Sequence, residues 1–179
     1  MRKRVFFVWI AGILFLGIFI FLADSHAQTP DVIRVGATVS VSGKFSTEIG
    51  PFQRLFQAWV DEVNRQGGIY LKKYGRKLPL KLITYDDRSD AATARRFYER
   101  LVTVDRVDLL FGPYSSPLTF AASTASEQHQ VPFIANCPNT PKVYNRGFKW
   151  IVCVIDTASR YTNRYWEMVK AEKKARTVG

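Results

Sequence analysis

Residues 107–122 read Val-Asp-Leu-Leu-Phe-Gly-Pro-Tyr-Ser-Ser-Pro-Leu-Thr-Phe-Ala-Ala. Residues 107–111 have the form of a short strand, wholly apolar in the last three positions. Gly112 to Pro117 break it with loop chemistry, and a helix of small residues follows, with Leu118, Ala121, Ala122 and Ala125 facing inward. Strand, loop, helix is half of a β-α-β unit, and the pattern repeats on both sides. Upstream, residues 32–39 (VIRVGATV) predict a strand and residues 40–50 a Ser/Gly loop, with Pro51 at the first helical position. Phe52, Leu55, Phe56, Trp59, Val60 and Val63 then recur at helical spacing and predict one buried apolar face. Gly67-Gly68 stops that helix, and the basic excursion 71–77 turns at Tyr74-Gly75. Residues 80–85 (LKLITY) predict a second strand. Asp90 caps the following helix, whose inner face is Ala94, Phe97, Tyr98, Leu101 and Val102. Downstream, residues 131–135 and 150–154 predict strands four and five. Short apolar strands alternating with helices imply a parallel sheet covered on both faces, which the crossover rule winds into an α/β, doubly wound, open parallel sheet.

The composition agrees with a folded domain. The chain has 179 residues, 47% hydrophobic and 14% aromatic, with 11 Gly and two Cys. Disorder, a collagen-like repeat and a disulfide scaffold are excluded. The beginning is distinct. Arg2, Lys3 and Arg4 precede residues 5–23, an uncharged apolar block, and Ser25 and Ala27 then stand in a small-x-small pattern. This order predicts a secretory signal peptide over residues 1–27, cut between Ala27 and Gln28. Residues 5–23 are also long enough for the alternative, an uncleaved anchor with the arginines on the cytoplasmic side. Beyond them no apolar run reaches the ~18 residues of a spanning helix. Arg2, Lys3, Arg4 and Asp24 account for two of the +11 charges, which leaves +9 on the rest. Those charges are scattered and carry no nucleic-acid motif, so no nucleic-acid partner is expected.

In open α/β sheets ligands sit beyond the carboxyl ends of the strands, where strand order reverses. The loop from Gly112 to Pro117 runs directly into a helix N-terminus, whose backbone N–H groups and positive dipole end favour an anion. Ser115 and Ser116 there serve equally as helix caps or as carboxylate donors. Asp86-Asp87 reads as loop and helix-dipole chemistry rather than as a metal or phosphoacceptor site. His129 is the one histidine after residue 27, so no metal site and no cofactor are expected. No G-x-S-x-G, Walker loop or G-x-G-x-x-G is present, and no enzyme is expected. Cys137 follows strand four and Cys153 lies at the end of strand five, so a bridge is one outcome.

In this order, several segments carry a family resemblance. They are Ile33-Arg34-Val35-Gly36 with Ser42-Gly43, and Trp59 through Asn64 running into Gly67-Gly68-Ile69. Tyr85-Asp86-Asp87, Gly112 to Ser116, Pro132-Phe133-Ile134, Asn139-Thr140-Pro141 and Arg146-Gly147-Phe148 complete the set. From about residue 33 to the end, the chain resembles the type I periplasmic substrate-binding proteins of ABC importers, of the leucine/isoleucine/valine kind. The resemblance implies an extracytoplasmic protein of two lobes that close on an amino acid or amide and deliver it to an ABC permease in the inner membrane. It implies that Ser116 contacts the ligand carboxylate and that Cys137 offers its backbone carbonyl to the ammonium. Asn139 stands where Thr is usual and contacts both groups. Tyr114, Ser115 and Thr140 complete the expected site. Ser89 and Ser115 replace a cysteine pair found in some members. Ile49 stands near where many members place an aromatic over the ligand.

The resemblance also divides the chain. Residues 28–155 correspond to the first ligand-binding lobe, and residues 156–179 to the start of a second lobe that this length does not complete. The expected helix over 156–174 would leave Tyr161, Tyr165, Met168 and Val169 uncovered. A truncated binding protein is therefore the expectation. The rivals are the sensing ectodomain of a membrane-anchored receptor and the remnant of a split gene.

Overall fold

The computed structural model describes residues 30–172, so the expected leader at 1–27 lies outside them, as do residues 173–179. β1 (Ile33–Val39) leads through a single turn, α1 (Ser46–Ile49), into α2 (Phe52–Arg65). A hairpin of β2 (Ile69–Leu71) and β3 (Arg76–Leu78) precedes β4 (Leu80–Asp86) and α3 (Ala91–Thr103). β5 (Leu109–Phe111), α4 (Ser116–His129), β6 (Phe133–Ala135), α5 (Pro141–Tyr144) and β7 (Ile151–Cys153) follow. A 3-10 turn (Ala158–Arg160) and α6 (Asn163–Ala171) end the described chain. The main sheet runs β4-β1-β5-β6-β7 with every pairing parallel. This is the expected open, doubly wound sheet. The basic excursion at 71–77 is more ordered than expected, because its turn joins the antiparallel pair β2–β3.

The two faces of the sheet bury different clusters. On one, Tyr98 and Leu101 of α3 and Ala122 and Ala125 of α4 pack over Leu110 and Phe133. On the other, Val60 of α2 packs over Val35 and Leu80, with Leu109 and Phe111 alongside. Asp90 caps α3 by accepting from the Thr93 N–H at 2.7 Å, as its position predicts. Gly67 and Gly68 end α2 with φ of +89° each, a conformation that costs glycine little.

The apolar face of α2 departs from expectation. Val60 is buried, but Phe52, Leu55 and Trp59 stand 37, 57 and 39% exposed. Phe56 and Trp59 reach the sheet through Phe111, with ring centroids 5.9 and 5.4 Å away. The register puts Phe111, Ile134 and Val152 in one row on this side, and Val152 is itself 61% exposed. α2 lies over β1 and β4, and among the described residues no helix covers the part of this face beyond Phe111. The helix therefore meets its sheet along one edge of its apolar stripe.

After β7 the expected single helix is split. Asp156 Oδ1 accepts from the Thr157 N–H at 2.7 Å, a local turn that delays the helix to Asn163. Tyr161, Tyr165 and Met168 are exposed, as the pattern predicts, while Val169 is half-buried. Cys137 and Cys153 are free thiols rather than a bridge. His129, at the end of α4, pairs with Glu99 of α3 at 2.6 Å.

Candidate ligand-binding site

Strand order reverses where β1 lies between β4 and β5, and the loops after β1, β5 and β6 converge on one cleft beside that crevice. The cleft measures about 450 Å³, within the usual range of small-molecule sites of about 300–1,000 Å³. All six residues expected from the sequence line it: Tyr114, Ser115, Ser116, Cys137, Asn139 and Thr140. Phe45 and Pro117 complete the wall. None of these side chains carries a formal charge.

The loops are joined across the cleft by side chains. Ser116 Oγ donates to Asn139 Oδ1 at 3.1 Å and accepts from the Asn139 N–H at 3.1 Å. Ser116 therefore does not cap its own helix, and neither does Ser115. Ser115 sits at φ +80°, ψ +151°, a region that side-chain-bearing residues rarely enter. Its Oγ is buried without a hydrogen-bond partner, as is Asn136 Oδ1 at the start of the loop after β6. Strain and an unpaired hydroxyl at the mouth of a helix are features that binding loops tolerate and structural loops avoid. Burial pushes the Cys137 thiol up, partly offset by the Ser115 N–H directed at its sulfur. Burial likewise pushes the Cys153 thiol up, against a hydrogen bond from Tyr144. At neutral pH both thiols are protonated and weakly nucleophilic.

Asp86 and Asp87 form the support behind the cleft. Asp87 is fully buried and accepts from Thr38 Oγ1 and Ser40 Oγ, both at 2.6 Å, and from the Ser89 N–H at 2.9 Å. Asp86 accepts from Ser42 Oγ at 2.6 Å and from the backbone N–H groups of Val41, Ser42 and Arg88. Burial works against its charge, but these donors outweigh it and hold the Asp86 carboxyl below its usual range. The pair thus ties the loop after β1 to the loop after β4, the loop role expected of it.

The sequence misplaced one residue and missed another. Ile49, expected near the ligand, is buried in the core at 6% exposure, because α1 turns it inward. Phe45 is at the cleft instead, and its ring meets that of Tyr114 edge-on with centroids 5.2 Å apart. Its signal was its place two residues after Ser42-Gly43, as the one aromatic in the loop of residues 40–50.

A parallel α/β fold with donors gathered in a cleft at its strand-order reversal has the form of a small-molecule-binding fold. Residues 32–179 match the sequence signature of periplasmic binding proteins, and the chain belongs to that family. It is 29% identical over 126 residues to a Leu/Ile/Val-binding protein homolog of Brucella abortus, an alignment covering 70% of this chain and 30% of that protein. The fold is similar to that of a branched-chain amino acid transporter substrate binding protein from Streptococcus pneumoniae, solved with isoleucine (TM-score 0.63, 24% identity, 76% of this chain, 39% of that one). It is also similar to a solute binding protein of an ABC transporter from Rhodopseudomonas palustris, solved with 3,4-dihydroxybenzoic acid (TM-score 0.64, 20% identity, 80% of this chain, 37% of that one). The chain spans about a third of the length of these relatives.

Proposed function

We propose that this chain carries the first lobe of an extracytoplasmic substrate-binding protein, which captures a small solute reversibly and passes it to an ABC importer in the membrane. The solute is an amino acid of the branched-chain type or a related amide. Lobe one ends at residue 155, and residues 156–179 begin a second lobe. Capture is non-covalent and no bond of the solute is broken. The leader at residues 1–27 directs export.

One observation carries this reading. Ser116 and Asn139 present a hydroxyl and an amide to one cleft at the N-terminus of α4, with the unpaired Ser115 hydroxyl beside them. A carboxylate seated there would accept from Ser116 Oγ, whose proton turns away from Asn139 Oδ1. It would also lie in the positive field of the helix end. Asn139 Oδ1, released from Ser116, becomes an acceptor for an ammonium. The backbone carbonyl of Cys137 takes the second ammonium proton.

The test is thermal unfolding of the purified chain with and without isoleucine. A solute that binds only the folded state raises the midpoint as its concentration rises. A midpoint indifferent to isoleucine, leucine, valine and short amides alike would overturn the reading.

A further inference from the structure

We infer that the β2–β3 hairpin is a docking surface for an anionic lipid bilayer, at the end of the fold opposite the solute cleft. The strands of the main sheet are parallel, and the cleft lies at their carboxyl ends. The hairpin follows the end of α2 and leads directly into the start of β4, which places it at the amino ends. The inference therefore stands apart from the reading of the cleft.

The first ground is charge. Residues 72–77 hold four cations, Lys72, Lys73, Arg76 and Lys77, all exposed, with Tyr74-Gly75 turning between them. The sheet adds two more at the same end, because Arg34 near the start of β1 stands beside Lys81 of β4, both exposed. Charges that the sequence scatters are thus gathered by the fold. The carboxylates at this end offset only part of them. Asp31 pairs with Arg76 at 3.3 Å, Glu62 pairs with Arg65 at 2.7 Å, and Asp108 accepts from the Arg34 backbone N–H at 2.8 Å. Among the described residues no ion pair reaches Lys72, Lys73, Lys77 or Lys81. Each Lys or Arg held near an anionic bilayer raises partitioning by about fivefold.

The second ground is shape. The base of the hairpin is fixed: Leu78 is buried, and Asn64 of α2 donates to the Leu80 carbonyl at 2.9 Å and accepts from its N–H at 2.7 Å. The Lys77 ammonium donates to the Gln66 carbonyl at 2.9 Å, which ties β3 to the end of α2. Beyond that base the hairpin turns apolar surface outward. Ile69 and Tyr70 are exposed, and the Lys73 ammonium stands 5.4 Å from the centroid of the Tyr74 ring. Lysine beside tyrosine suits a membrane–water interface, where the ring sits at headgroup level and the ammonium meets phosphate. The chain also enters the fold here. Asp31 is held by Arg76, and residues 24–30 alone separate it in sequence from the apolar block 5–23. An extended segment of that length spans about 25 Å at most, so a bilayer that held the block would lie within reach of the hairpin.

The test is co-sedimentation of the purified full-length chain with phosphatidylcholine vesicles, with and without phosphatidylglycerol, at low and high salt. The apolar block acts on both lipids alike, so the difference between them reads the charge. The wild type should prefer the anionic vesicles by about tenfold or more at low salt and lose that preference at high salt. The double variant Lys72→Gln, Lys73→Gln should lose about tenfold or more of the preference. The double variant Arg95→Gln, Arg96→Gln, which removes two exposed charges from α3 instead, should keep it. Circular dichroism of each variant verifies its fold. A wild type that binds both vesicles equally overturns the inference without recourse to any variant. An equal loss in the α3 variant would make the attraction one of net charge and overturn it too. Retention on immobilised polyglutamate, with no preference for the anionic vesicles, would make the hairpin a protein-docking surface and overturn the assignment to lipid.

Discussion

Ser116 and Asn139, 23 residues apart, exchange two hydrogen bonds through a single hydroxyl: Ser116 Oγ donates to the Asn139 side chain and accepts from the Asn139 backbone, each at 3.1 Å. This pair closes the N-terminus of α4 onto the loop after β6. One hydroxyl rotation moves its proton from Asn139 to a ligand in the cleft, and the backbone bond need not break. The pair is thus ordered as it stands, and its hydroxyl keeps the freedom to donate elsewhere.

Removing that hydroxyl should cost binding more than folding. Ser116→Ala is expected to weaken isoleucine by about 1–3 kcal/mol, the usual value of a hydrogen bond to a charged group or of a buried partner left unpaired. Calorimetry on a variant with a wild-type circular dichroism spectrum reads this directly, and an unchanged affinity would remove Ser116 from the site.

Ser115 supplies a prediction of opposite sign for stability. Its φ of +80° is a glycine-like conformation, so Ser115→Gly relieves strain and also deletes an unpaired buried hydroxyl. The variant should unfold at higher denaturant, by about 1 kcal/mol in net terms. A lower midpoint would mean that the Ser115 backbone is not strained.

The pH dependence follows from Asp86. Its carboxyl is held below the ordinary value of 3.8, so it binds a proton less tightly in the folded chain than in the unfolded one. The stability it contributes is fully present above about pH 3.8 and is lost as pH falls through the lower folded value. Urea unfolding should therefore find Asp86→Asn weaker than the wild type at pH 7, with the gap narrowing below pH 3.8. A constant gap across that range would mean that the charge of Asp86 does no work in the fold.

The two thiols should separate by location. Both are free and both are pushed up by burial, so both should react slowly with a maleimide at pH 7 and faster as pH rises. Only Cys137 lines the cleft. Isoleucine should protect Cys137 and leave Cys153 unchanged, as followed by mass spectrometry of the labelled peptides. Equal protection of the two, or of neither, would place the solute elsewhere.

The sheet was legible because its strands are short apolar runs bounded by Gly, Pro, Ser and Asp, and the helix stop at Gly67-Gly68 and the Asp90 cap act through local chemistry. The six residues that the resemblance points to occupy two loops at strand ends, and topology gathers such loops at one cleft. What local pattern could not convey is what lies opposite. The periodicity of α2 marks Phe52, Leu55 and Trp59 as apolar, but their burial depends on how far the neighbouring layer extends over Phe111 and Val152. Ile49 and Phe45 illustrate the same point: a single turn at Ser46–Ile49 rotates Ile49 inward and leaves Phe45 at the cleft. The residue before that turn, Phe45, is tied by its backbone N–H to Ser89, a contact 44 residues apart in the chain.

The most direct measurement is a titration of the isotope-labelled chain with isoleucine, following its backbone amide resonances. The account predicts shifts concentrated at residues 114–116, 137 and 139–140 and at Phe45, with the edge strand β7 and the α3–α4 surface silent. Shifts absent at saturating isoleucine, or centred on another face of the sheet, would contradict it.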